Sequence, residues 1–201
     1  AKGTPNHAEK VMKYYSIATG DSSAEISLLE GNSGLKVVYY NQGDAAWKSI
    51  PYSTSTIGQS GCGPTSMAIC ISTLSGKKIT PRQTCQWAGS QGYYVKGAGS
   101  KHDVIPGLAK KYGVKCKGVG KNKPQIIQAL KTGKLVVAIM SAGHFTSGGH
   151  FIVLTGIKDG KITVADCGSR QRTKQTWSLD LIVDESNSSA SAGGPFWIIS
   201  K

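Results

Sequence analysis

The spacing of apolar residues changes part-way along the chain, and the change divides predicted helices from predicted strands. From Ala1 to about Leu35 apolar positions are sparse. One stretch, about Ala8 to Ile17, predicts a short helix, and Gly/Ser/Asp-rich segments follow at Thr19 to Ser23 and Gly31 to Gly34. This part reads as a leader or linker over residues 1–35, possible tail of a preceding module, with one domain over 36–201. Lys36 to Tyr40 predicts a strand, turned by Asn41-Gln42-Gly43-Asp44. Met67, Ala68, Ile69, Cys70, Ile71 and Leu74 are apolar on nearly every side and stop at Gly76, which predicts a buried helix beginning within a residue or two of Cys62. Thr80-Pro81-Arg82-Gln83 carries an N-cap, a proline for the first turn and a glutamine for a capping box, so a second helix runs to about Ala88. Further helices are predicted from Val104 to Tyr112, ended by Gly113, and from Pro124 to about Lys131. Beyond Gly133 the rhythm becomes that of strands: Leu135 to Met140, Phe151 to Ile157, Ile162 to Ala165 and Phe196 to Ser200. The Ser/Ala/Gly-rich stretch from Glu185 to Gly194 is expected to be a mobile loop. Helices first and strands later is an α+β arrangement, a buried N-terminal helix packed on a C-terminal antiparallel sheet.

Composition narrows this picture. The 201 residues suffice for one domain with a real core, and no apolar run approaches the length of a membrane span. The sequence opens at Ala1 without a signal segment, which reads as a mature product or an excised piece. Lys and Arg outnumber Asp and Glu by 24 to 11, giving a formal charge of +13 that attracts anionic partners. The lysines are scattered, without interleaved aromatics or zinc-finger spacing, so specific nucleic-acid readout is not supported. The five cysteines, Cys62, Cys70, Cys85, Cys116 and Cys167, include no C-x-x-C pair. Neither a disulfide framework nor a metal site is expected, and no cofactor is implied.

Chemistry enters at Cys62. A cysteine at the start of a buried helix has its thiolate favoured by the helix dipole and by free N–H groups, and its own N–H can donate to an oxyanion. Its flanking glycines let a substrate backbone approach. Of four histidines, His7 lies in the leader, His102 at a helix start and His144 in a Gly/Ser-rich loop, while His150 stands on the strand opened by Phe151. Register supplies a third residue. If Lys158-Asp159-Gly160 is a three-residue hairpin loop, Ile157 pairs with Lys161, and His150 and Asp166 share one side of the sheet as diagonal neighbours. A two-residue loop pairing Lys158 with Lys161 would put them on opposite faces. Cys62, His150 and Asp166 would then supply nucleophile, base and orienter.

On these residues the chain resembles the papain-like cysteine peptidases of the bacteriocin-leader, or double-glycine, type. The matching words are Tyr39-Tyr40-Asn41-Gln42-Gly43-Asp44, Trp47, Pro51-Tyr52, Gly61-Cys62-Gly63-Pro64-Thr65-Ser66, Gly149-His150-Phe151-Ile152-Val153-Leu154-Thr155-Gly156 and Val164-Ala165-Asp166. The resemblance implies a papain-like fold, the same three catalytic residues and a peptide substrate. It also implies an oxyanion-hole glutamine six residues before the cysteine, where this chain has Thr56; the nearest glutamine, Gln59, is the stand-in candidate. The charge and the resemblance together suggest a secreted or wall-associated bacterial protein acting on peptidoglycan cross-peptides, with an anionic wall polymer as a further partner. Two other readings use the same scaffold: an inactive wall-binding module, and a thiol-dependent acyl transferase.

Overall fold

The structure, a computed structural model, describes residues 13–16, 25–30 and 35–201. Three strands, β1 (Lys13–Ser16), β2 (Glu25–Glu30) and β3 (Lys36–Tyr39), form an antiparallel meander, with Ser27 opposite Tyr39 and Tyr15 opposite Ile26. Over Lys13–Ser16 the helix expected between Ala8 and Ile17 is therefore replaced by a strand. Tandem tyrosines there favour an extended backbone, and the rest of that expected helix lies outside the described residues. A small hairpin of β4 (Pro51–Tyr52) and β5 (Ser55–Thr56) leads into the short α1 (Ile57–Ser60).

The central helix α2 (Cys62–Ser75) starts at Cys62, and Gly76 closes it in the left-handed conformation at φ 70°. Helix α3 (Pro81–Ser90) has the expected capping box of Thr80 and Gln83. A hairpin of β6 (Tyr94–Val95) and β7 (Gly99–Ser100) separates it from α4 (Val104–Tyr112). Then come β8 (Lys115–Gly120), α5 (Lys123–Lys131), β9 (Leu135–Met140), β10 (His150–Lys158) and β11 (Lys161–Ala165). The chain ends with α6 (Arg170–Thr173), β12 (Thr176–Trp177), α7 (Leu179–Glu185) and β13 (Phe196–Ser200).

Six strands form one antiparallel sheet in the order β12-β11-β10-β9-β13-β8. Both faces are covered, which explains why β9 and β10 read as nearly continuous apolar runs. Val137, Ile139, Phe151, Val153, Trp197 and Ile199 face a core shared with α2, α3, α4 and β3. The alternate residues Val136, Ala138, Met140, Ile152, Leu154 and Phe196 face a second core shared with α5 and α7. Helix α2 packs directly on β10. A Cβ at Gly63 would sit 3.2 Å from the Phe151 ring, so a glycine there brings the helix start close to the strand.

The β10–β11 hairpin corrects one expectation. Lys158 pairs with Lys161, so the loop is the two-residue Asp159-Gly160, with φ of 50° and 75° as a type I′ turn requires. That register would separate His150 from Asp166, but a bulge at Thr155 shifts it back by one residue. Below the bulge Leu154 pairs with Val164 and Val153 with Ala165, the register that Ile157 opposite Lys161 would have given. Thr155 and Thr163 share a hydroxyl–hydroxyl bond of 2.9 Å across the bulge. The stretch from Glu185 to Gly194, expected to be mobile, is pinned instead. Asn187 N donates to Ile139 O at 2.9 Å, Gly120 N to Gly193 O at 3.0 Å, and Trp197 Nε1 to Ala192 O at 2.8 Å. Its backbone is held by these hydrogen bonds while Ser188, Ser189 and Ser191 stay exposed. No helix among the described residues is long and apolar enough to cross a membrane.

Candidate active site

Helix α2 presents Cys62 at its first turn, the residue half-buried and the amide of Gly63 free to face its sulfur. All five cysteines are free thiols. Burial pushes Cys70, Cys85 and Cys167 well up and Cys116 to about 11. Cys62 goes the other way. Burial disfavours its thiolate, but the hydrogen bond and charge of His150, with the backbone amides of Phe151 and Gly63, outweigh burial and bring its pKa below the ordinary value.

His150 opens β10 opposite Met140. Its Nε2 lies 2.6 Å from Asp166 Oδ1, and their side chains are 11% and 0% exposed. With Nε2 committed to the carboxylate, Nδ1 is the nitrogen left for Cys62. Burial disfavours the imidazolium, yet the bonds to Asp166 and Cys62 and the charges of both raise its pKa to about 10. Burial alone would raise Asp166; hydrogen bonds from His150, Arg172 and the Gly168 amide hold it below the usual carboxylate range instead. The geometry favours a thiolate–imidazolium pair backed by a carboxylate.

The other sequence candidates are engaged with other partners. His144 pairs with Glu185 at 2.6 Å in an exposed loop, and Ser191 N donates to Nδ1 of His102 at 3.1 Å. His7 is outside the described residues. Gln59 is exposed on α1, where its side-chain oxygen accepts from Ser55 Oγ at 3.4 Å and its amide N–H is capped by Thr56. The buried glutamine of this region is Gln42. Its Nε2 donates to Gly58 O at 3.1 Å, its Oε1 accepts from Cys167 Sγ at 3.3 Å, and its backbone N–H donates to Cys167 O at 2.8 Å. Cys167 Sγ in turn reaches the backbone oxygen of Cys62 at 3.5 Å.

The sequence profile of the Peptidase C39-like family matches residues 34–191. The chain belongs to this family. It is therefore a cysteine peptidase, and the match covers the whole Cys62-to-Asp166 region. Among solved structures, the chain is similar to a protein described as a C39-like peptidase from Bacillus anthracis, with a TM-score of 0.49 and 16% identity over 81% of this chain and 94% of that one. It is also similar to the peptidase domain of Streptococcus ComA, a bi-functional ABC transporter involved in a quorum sensing pathway. There the TM-score is 0.50 and the identity 13%, over 71% of this chain and 92% of that one. The second likeness shows a shared fold. The comparison with curated proteins gave no match.

Around the site of this C39-like peptidase, the N-terminal motif acts as scaffold. Tyr39 Oη donates to the Asp166 carbonyl at 2.7 Å, Asn41 Nδ2 donates to Tyr39 Oη at 3.0 Å, and Trp47 Nε1 donates to Asn41 O at 2.7 Å. Two contributors went unnoticed in the sequence. Gln42 stood in a quoted motif but far from Cys62 in number, and only the fold brings it to the Cys62–Cys167 contact. Arg172, which bonds Asp166, sits in a polar stretch with no pattern to mark it.

Proposed function

We propose that this cysteine peptidase hydrolyses peptide bonds through Cys62, His150 and Asp166, and that its substrates are bacterial cell-wall cross-peptides. One observation carries the catalytic part: Cys62, alone among the five cysteines, has its thiolate favoured, and the histidine that favours it is held by a fully buried carboxylate at 2.6 Å. The Cys62 thiolate attacks the scissile carbonyl carbon, and the C=O electrons move onto oxygen. The tetrahedral intermediate collapses as His150 delivers its proton to the leaving amine, leaving a thioester. Water, deprotonated by the now neutral His150, attacks the thioester, and the carboxylic acid leaves as the C–S bond breaks and the thiolate–imidazolium pair is restored. Asp166 holds the ring and balances the imidazolium.

For the oxyanion, Gln42 takes the place given to Gln59. It is buried and bonded to Cys167, whose sulfur reaches the Cys62 carbonyl, and its Nε2, now on the Ile57 and Gly58 carbonyls, would turn to donate to the developing charge together with the Cys62 N–H. The substrate setting is supported by charge. From Val104 to Lys158 the chain has nine lysines and no aspartate or glutamate, a long basic tract that suits attachment to an anionic wall polymer. The test is release of new amino groups from purified wall preparations and, separately, from denatured protein, by wild type and Cys62→Ala. Cys62-dependent release from walls supports the reading, and release only from denatured protein removes the wall assignment. Wall retention that persists in Cys62→Ala and collapses in high salt would show that the basic surface binds independently of catalysis.

A further inference from the structure

The turn after Asp166 is tied more tightly than a strand end requires. Asp166 N donates to Thr173 Oγ1 at 2.9 Å, and that hydroxyl donates to Ser169 O at 2.8 Å. Ser169 Oγ accepts from the Arg172 amide at 3.0 Å, and Arg172 O accepts from Trp177 Nε1 at 3.1 Å. Folded back in this way, the turn sends two arginines along one flank of the site. Arg170 forks onto Asp44 at 2.8 and 2.9 Å and lies over the Tyr39 ring at 5.5 Å. Arg172 Nε donates to Asp166 Oδ2 at 2.6 Å.

We propose that Arg172 is a positioning residue of the peptidase, a permanent cation that holds the Asp166 carboxylate against His150 and ends a chain of alternating charge running Cys62, His150, Asp166, Arg172. The proposal rests on the catalytic reading above. A carboxylate with no exposure must have both oxygens satisfied, because an unpaired buried charge is strongly unfavourable. Oδ1 takes His150 Nε2 and the Gly168 amide at 2.9 Å; Oδ2 takes Arg172. With both oxygens bound, the carboxylate plane cannot rotate and the imidazole it holds cannot swing. The groups facing Asp166 are His150 on β10, Arg172 on α6, the adjoining Cys167, and Tyr39 on β3, with Cys62 beyond His150 and Arg170 held by Asp44. Arg172 brings a guanidinium, a planar donor matched to a carboxylate, to the oxygen that His150 leaves open.

The test compares kcat/KM and the rate of Cys62 alkylation by iodoacetamide across pH in wild type, His150→Ala, Arg172→Met and Arg172→Lys. Removing a cation from the chain favours the protonated form of every member. Arg172→Met is therefore expected to move both limbs of the kcat/KM profile, and the acid limb of alkylation, upward by about half a unit to one unit. Its kcat should fall by about 10- to 100-fold with KM little changed, since the ring loses its fixed orientation. Arg172→Lys keeps the charge and is expected to leave the limbs in place while recovering part of kcat. A lowered amplitude with unmoved limbs in Arg172→Met would make Arg172 a structural residue and overturn the proposal, as would an unchanged enzyme. Wild-type alkylation that ignores His150→Ala overturns the catalytic reading itself. Alkylation that responds to His150→Ala but not to Arg172→Met overturns the arginine alone.

Discussion

Two histidine–carboxylate pairs in this molecule have the same bond length and different meanings. His150 and Asp166 meet at 2.6 Å, and so do His144 and Glu185. The first pair has side chains 11% and 0% exposed, a thiol on its far side, and Arg172 and the Gly168 amide on the carboxylate. In the second, His144 is 61% exposed on a loop and Glu185 is 17% exposed at the end of α7, and its carboxylate bonds the His144 backbone amide as well as the ring. Distance alone therefore does not distinguish the two pairs. Burial strengthens the interaction by excluding solvent screening, and a nucleophile on the free ring nitrogen gives the raised basicity something to act on.

The comparison breaks most sharply at the sulfur. Cys62→Ala and His150→Ala are each expected to remove about 10⁶-fold of kcat in a peptide-hydrolysis assay, because members of such a unit act together. Next, Asp166→Asn should lower kcat by up to about 10⁴-fold, as the imidazolium loses the negative charge that balances it. In the surface pair, Glu185→Gln should leave kcat within about twofold of wild type. The pH profile gives a third contrast. In the proposed mechanism protonated His150 delivers a proton to the leaving amine, so kcat/KM is expected to rise as Cys62 ionises below its ordinary pKa and to fall as His150 deprotonates near pH 10. Gly168→Ala is subtler. A Cβ there would lie 3.0 Å from His150 Cε1 and 3.1 Å from Nε2, so the ring must yield, and kcat should drop about tenfold. Smallest of all, His144→Ala should change stability by less than about 1 kcal/mol in a urea titration, the scale of an exposed ion pair.

Legibility followed locality. Cys62 at a helix start, the capping box at Thr80 and the strand after His150 were readable because each depends on residues within a few positions of one another. The strand β8 was missed because Lys115–Gly120 has no apolar alternation; among the described residues it is an edge strand, partnered by β13 alone. The hairpin shows how two local features offset each other. The Asp159-Gly160 turn alone gives a register that parts His150 from Asp166, and the Thr155 bulge, which leaves no mark in an apolar strand, restores it. Gln42 and Arg172 were illegible for another reason: their partners lie across the fold, so no spacing in the chain records them.

The central claim is that Cys62 is a thiolate because His150 is an imidazolium. The most direct measurement is the rate of Cys62 alkylation by iodoacetamide from about pH 4 to 10, resolved from the other four thiols by peptide mapping, in wild type and His150→Ala. The account predicts that Cys62 alone reacts quickly below about pH 7 and that His150→Ala raises its pKa to that of an ordinary thiol, about 8.5, or above it. A wild-type Cys62 that titrates like an ordinary thiol, or that is unaffected by His150→Ala, would contradict it.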